Sequence, residues 1–193
     1  MGIHDRMDPL SAVAMATVLE YIAREVLDQA VPLATPTETR VIHLSHIAKG
    51  IADDEVLRKL LSYKDLATGK KRRQSACSSS SRSKKSRTRD AYCRKCKPYN
   101  LYLQRILDKA GEGVRIDGEA ADKLDAILIK FLQVILKQAL KKRKGNERRD
   151  TLNEANVVAA VNDVFARVGD PMLELVNKSI ADAVNLFVQS YSP

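Results

Sequence analysis

The stretch from Lys70 to Lys97, KKRRQSACSSSSRSKKSRTRDAYCRKCK, sets the limits on what this chain can fold into. It holds twelve lysines and arginines against the single acid Asp90, and Ser78 to Ser81 form a serine run. Almost nothing in it is apolar, so folding it alone would bury too little surface to offset the ordering entropy. The strap therefore divides the chain into a first half, residues 1–69, and a second half, residues 98–193. Its surplus of eleven positive charges exceeds the +9 of the whole chain, which leaves the two halves together slightly acidic.

Both halves carry helical periodicity. Asp8-Pro9 reads as a helix start, with an N-cap acid and a proline at the first helical position, where its missing N–H costs nothing. Met15, Leu19, Ile22 and Val26 then recur at three- and four-residue steps, predicting a helix to Ala30 that Pro32 and Pro36 stop. Glu20, Glu25 and Asp28 fall on its other side, within about 140° of one another. A short helix with Ile47 and Ile51 inward follows. A third, started by Asp53, Asp54 and Glu55, carries Val56 and Leu60 on one face.

The second half opens at Pro98 with a helix through Tyr99, Tyr102, Ile106 and Leu107, ended by Gly111 and Gly113. Asp117 is expected to cap the longest helix of the chain, which runs to about Lys144. Its stripe is Leu124, Ile127, Leu128, Phe131, Leu132, Ile135 and Ala139, and Lys141 to Lys144 crowd its last turn, where the helix dipole favours cations. Asn153 caps a shorter helix with Val157, Val161, Val164 and Phe165 inward. Gly169-Asp170-Pro171 breaks it, and a last amphipathic helix extends to about Gln189. The central helix is too apolar to stand alone, and the long helix of the first half is its natural partner. The expected class is all-α.

Several function classes lose support at this point. No apolar run approaches the roughly 18 residues of a membrane span. The N-terminus lacks a signal-peptide core, and Arg6 breaks the myristoylation pattern that Met-Gly begins. Three cysteines, an odd number, suggest a reducing compartment. Cys93 and Cys96 frame a C-x-x-C, yet a structural zinc site wants four ligands and only Cys77 is near, so exposed linker thiols are expected over metal. His43 and His46, three apart, fit packing or capping better than metal binding. No nucleophile–base constellation, glycine-rich phosphate loop or cofactor stripe appears, so neither an enzyme nor a cofactor is expected. A sequence pI near 9.5 argues for a polyanionic partner.

The residues also carry a family resemblance. Val18 to Ala30, VLEYIAREVLDQA, resembles the central helix of the 2A-type core histone, and Ile47 to Leu61, IAKGIADDEVLRKLL, is similar to its third helix and the short helix after it. In the second half, YNLYLQRILDKAGEGVRI resembles the first helix and loop of the 2B-type core histone, and DTLNEANVVAAV its second loop and third helix. DPMLELVNKSIADAVNLFVQSY is similar to the extra C-terminal helix of the 2B type. The resemblance implies a histone doublet of the kind known from large DNA viruses. It would comprise two histone folds (helix–loop–long helix–loop–helix) paired head to tail as an intramolecular pseudo-dimer.

It also implies roles. Histone pairs grip successive minor grooves through phosphate contacts and inserted arginines, with little sequence preference. The positions implied to meet DNA are Arg40 in the first half and Lys109, Arg115, Arg148, Arg149 and Thr151 in the second. Lys70, Lys71, Arg72, Arg73, Lys84, Lys85 and Arg87 of the strap would add phosphate contacts. Glu20, Glu25, Asp28, Asp54 and Glu55, joined by Glu174 and Asp182, map onto an acidic patch that docks chromatin factors, with Val56 in place of a further acid. Expected partners are double-stranded DNA and histone 3- and 4-like proteins, with no membrane. The expected location is a nucleus or chromosome and, for a viral protein, also the virus factory and virion. The alternative is a histone-fold subunit of a transcription or replication complex that does not wrap DNA.

Two departures from the family accompany these matches. The sequence starts in the loop before the central 2A-like helix, so either upstream residues supply a first helix or none is used. The 2A-type docking tail shrinks to SYKDLATGK. Between the halves the strap spans roughly 30–35 Å as a flexible chain, enough for intramolecular pairing at about millimolar local concentration.

Overall fold

The computed structural model describes residues 6–36, 39–61, 100–110, 113–142, 151–166 and 170–191. Within them lie seven helices and four two-residue strands. The first half comprises β1 (Arg6–Met7), α1 (Pro9–Ala34), β2 (Val41–Ile42), α2 (Leu44–Asp53) and α3 (Glu55–Leu61). The second comprises α4 (Asn100–Ala110), β3 (Arg115–Ile116), α5 (Gly118–Lys142), β4 (Thr151–Leu152), α6 (Glu154–Phe165) and α7 (Asp170–Tyr191). The expected all-α class holds: the strands are only short bridges between loops.

Those bridges fix how the halves meet. β1 pairs in parallel with β4, in the register Arg6 to Thr151 and Met7 to Leu152. β2 pairs in parallel with β3, in the register Val41 to Arg115 and Ile42 to Ile116. The start of α1 is thereby held beside the end of α5, and the end of α1 beside the start of α5. The two long helices run antiparallel. Matching hydrogen bonds close both ends: the Asp8 N–H donates to Leu152 O at 3.0 Å, and the Asp117 N–H to Ile42 O at 2.9 Å. Exchanging the two halves maps one bridge onto the other, a local two-fold relation that only α4 breaks among the elements preceding the long helices.

The core is one cluster drawn from both halves. Val18, Ile22 and Val26 of α1 are fully buried, as are Leu103 of α4, Leu124, Leu128 and Phe131 of α5, and Val157, Val161 and Phe165 of α6. α1 packs against α2 of its own half and against α5, α6 and α7 of the other, most extensively against α7. Neither half encloses its own apolar stripe. Phe131 and Phe165 meet edge to face with centroids 5.9 Å apart, a geometry worth roughly 0.5–1.5 kcal/mol beyond area burial. Gly50 lets α2 approach α1: a Cβ there would stand 3.0 Å from Gln29 Cβ and 3.3 Å from its backbone.

Several local expectations need correction. α1 does not stop at Ala30 but continues through Pro32 to Ala34. Pro32 forfeits one hydrogen bond, but Ala30, Val31 and Ala34 are buried, and Thr35 closes the end with its N–H and hydroxyl, both on Val31 O. Asp8 is the N-cap residue, yet its side chain makes no capping bond, its backbone being engaged by β4 instead. On α3 the buried pair is Leu57 and Leu60, with Val56 only partly covered. Leu103, absent from the expected stripe of α4, is fully buried. α5 is described to Lys142, whose ammonium meets Asp163 at 2.7 Å, and its expected end near Lys144 lies outside the described residues. Asn153 caps α6 as expected, its side chain accepting the Asn156 N–H at 3.0 Å.

Because the aromatic pair sits in a core shared by both halves, Phe165→Ala is expected to cost about 3–5 kcal/mol. In urea unfolding, helical circular dichroism and tyrosine fluorescence should shift together, as one transition.

Candidate nucleic-acid interface

The β2–β3 bridge brings two of the expected DNA-contacting residues side by side. The Arg115 N–H donates to Arg40 O at 3.0 Å, and both side chains are exposed. Arg40 has φ 45°, the left-handed region, which costs a non-glycine residue roughly 1–3 kcal/mol. That conformation turns the chain from α1 into the bridge. Lys109 is exposed in the last turn of α4, the helix that leads into β3 and packs against it.

The same corner gathers two helix N-termini. α2 begins directly after β2, and α5 directly after β3. Helix N-termini present unpaired N–H groups and positive dipole ends, which favour anions. His46 takes the capping role that the sequence suggests: its Nδ1 accepts the His43 backbone N–H at 3.2 Å at the start of α2, and the two rings lie 5.6 Å apart. His43 Nδ1 lies 4.0 Å from Asp117 Oδ2 of the other half, an ion pair when the imidazole is protonated. Asp117 also caps α5, Oδ1 accepting the Gly118 N–H at 2.8 Å.

The opposite corner repeats the plan. Thr151 is half-buried and pairs with Arg6, while the buried Ser11 hydroxyl donates to Leu152 O at 2.8 Å. The N-termini of α1 and α6 meet there. In the sequence Arg6 stands two residues before Asp8 as Arg115 stands two before Asp117. Arg148 and Arg149 lie outside the described residues, as do Lys70, Lys71, Arg72, Arg73, Lys84, Lys85 and Arg87 of the strap.

The acidic residues separate into groups. Glu25, Asp28 and Asp54 interact: burial raises the Glu25 carboxyl above the usual range, the Tyr21 hydroxyl bond lowers it, and Asp28 and Asp54 raise it further. Tyr21 is itself pushed up, by burial first and then by Glu25. Asp54 Oδ1 caps α3 by accepting the Leu57 N–H at 2.9 Å. Glu55 pairs with Lys59 at 2.7 Å on the exposed face of α3 and is lowered by it. Glu20 is engaged elsewhere, accepting the Tyr102 hydroxyl of the other half. Burial and that bond raise the Tyr102 phenol. Glu174 and Asp182 are exposed on α7, which packs along α1.

Among the described residues no group of three or more histidine, cysteine or acidic side chains is placed to hold a metal, and no helix is long and apolar enough to cross a membrane. The three cysteines, with the C-x-x-C, lie outside the described residues. Comparisons of the chain with protein-family models, curated proteins and solved structures find no match.

The half-buried acids yield a pH prediction. Since the folded state raises the Glu25 pKa, the charged carboxylate disfavours folding above that pKa, and the penalty is relieved as pH falls through it toward the unfolded value. Glu25→Gln is expected to raise the urea midpoint at neutral pH. Its advantage over the parent chain should shrink as the solution is acidified.

Proposed function

We propose that this chain is a histone doublet, a non-enzymatic protein that packages double-stranded DNA. A 2A-like half and a 2B-like half would form two histone folds paired head to tail within one molecule. One observation carries this reading: each loop before a long helix is bridged to the loop after the other. The β2–β3 bridge so formed presents exposed Arg40 and Arg115 beside two helix N-termini. Such a corner offers guanidinium groups for phosphate or minor-groove contact and backbone N–H groups for phosphate oxygens. The second corner, where β1 pairs with β4 and the N-termini of α1 and α6 meet, would take up the next stretch of backbone.

In this reading the strap of residues 70–97 joins the tails of the two histone types, serving as tether and as sequence-independent phosphate contact. Tethering makes pairing of the halves intramolecular. Glu25, Asp28 and Asp54 supply the centre of an acidic face suited to basic peptides of chromatin factors. Histone 3- and 4-like proteins are the proposed assembly partners, and a nucleus or viral chromosome the proposed location.

Contact limited to phosphates and groove width predicts binding that is insensitive to sequence and steeply dependent on salt. The double variant Arg40→Ala/Arg115→Ala should flatten the log–log salt slope by about 0.9 for each lost phosphate contact. Failure of the chain to bind duplex DNA better than a neutral protein at about 100 mM salt would overturn the proposal. Nuclease digestion after reconstitution with histone 3- and 4-like partners separates packaging from its alternative. A discrete protected length is expected, whereas uniform digestion points to a histone-fold subunit of a transcription or replication complex.

A further inference from the structure

The corner closed by β2 and β3 holds one group that works against a polyanion. Exposed Arg40 and Arg115 and the N-termini of α2 and α5 all favour phosphate there, but the carboxylate of Asp117 stands among them. Its Oδ1 caps α5, accepting the Gly118 N–H at 2.8 Å. Its Oδ2 lies 4.0 Å from His43 Nδ1 of the other half. Both side chains are open to solvent, 53% exposed for His43 and 43% for Asp117. The bridge fixes this meeting, because Ile42 O accepts the Asp117 N–H at 2.9 Å and His43 follows Ile42 directly. The other charged or titratable groups carried to this corner are His46 of α2, Arg40 ahead of β2, Arg115 of β3, Lys109 in the last turn of α4 and Glu119 in the first turn of α5. His46 Nδ1 is occupied as the acceptor of the His43 backbone N–H. His43 is therefore the imidazole that meets a carboxylate across the seam.

We infer that His43 is a proton switch for phosphate binding at this corner: its imidazolium neutralises Asp117 and opens the corner to the DNA backbone, while its neutral form leaves the carboxylate to repel it. The inference rests on the reading of the corner as a phosphate contact. Histidine is the side chain whose charge ordinarily changes between about pH 5 and 8. A proton taken from solvent onto His43 makes an ion pair with Asp117 and raises the formal charge of His43, Asp117, Arg40 and Arg115 together from +1 to +2. Binding and protonation then help one another: acid tightens the complex, and a duplex seated at the corner draws a proton onto the ring by the same factor. Exchange of the halves maps His43 and Asp117 onto Asn153 and Asp8, which follow β4 and β1 as the first pair follows β2 and β3. Asn153 caps α6 in the same way but cannot take up a proton, so the two corners answer differently to pH.

The test is fluorescence anisotropy of a labelled duplex of random sequence, titrated with the full chain at about pH 6 and about pH 8 and at one salt concentration of about 100 mM. The parent chain is expected to bind about three- to tenfold more tightly at the lower pH. His43→Gln should abolish most of that gain and leave the affinity at the higher pH little changed. Asp117→Asn, which keeps a capping residue ahead of α5, should bind more tightly than the parent at the higher pH and gain less on acidification. Circular dichroism should show the same melting for parent and variants at the higher pH. A His43→Gln chain that keeps the parent's full response to pH would overturn the switch. So would an Asp117→Asn chain that binds no more tightly than the parent at the higher pH, or loss of the response in His46→Gln with His43 in place. A parent chain that binds no duplex at either pH removes the phosphate reading itself, and the switch with it.

Discussion

The head-to-tail bridging of loops is the constraint on which the rest of the structure depends. Two-residue strands contribute few hydrogen bonds, and their direct contribution to stability is small, about 0.5–1.5 kcal/mol for each bond. Their effect is geometric. By holding the beginning of each long helix against the end of the other, they lay the apolar stripes of α1 and α5 across one another and bring α6 and α7 around α1. The resulting apolar burial stabilises the fold far more than the bridges do, since each fully buried Leu, Ile, Val or Phe contributes about 1.5–3 kcal/mol. The side chains that supply it come from both halves, so the bridges and the core stand or fall together.

The same constraint sorts the charges. Arginines that lie 75 positions apart in the sequence, Arg40 and Arg115, become neighbours because β2 and β3 pair there. Helix N-termini are gathered at the two corners, and the acids Glu25, Asp28 and Asp54 collect where α1 meets the end of α2. A screening length of about 10 Å at 0.1 M salt keeps the basic corners and the acidic face from cancelling one another at a distance.

Much of the secondary structure was legible in the sequence, because three-four periodicity and capping residues are local signals. Asn153 and Asp117 cap where the sequence places them, and the α6 stripe from Val157 to Phe165 is buried as expected. The failures have tertiary causes. Pro32 does not end α1, because burial of Val31 and Ala34 outweighs one lost hydrogen bond. Leu57 rather than Val56 faces inward, because α3 is oriented by the Asp54 cap and by its packing on α2. Two-residue strands are too short to show alternation, so neither bridge was visible. Nor was the bond from Tyr102 to Glu20, which joins residues in different halves and draws one acid away from its cluster.

That the two halves form one cooperatively folded body, closed at both ends by equivalent bridges, is tested most directly by native-state hydrogen exchange at the Asp8 and Asp117 amides. These are the donors to Leu152 O and Ile42 O. Both amides are predicted to exchange only through global unfolding, with the same opening free energy as the core amides of α1 and the same dependence on denaturant. Exchange of either amide through a low-energy local opening, while the α1 core stays protected, would contradict the pairing on which the corners and the core both rest.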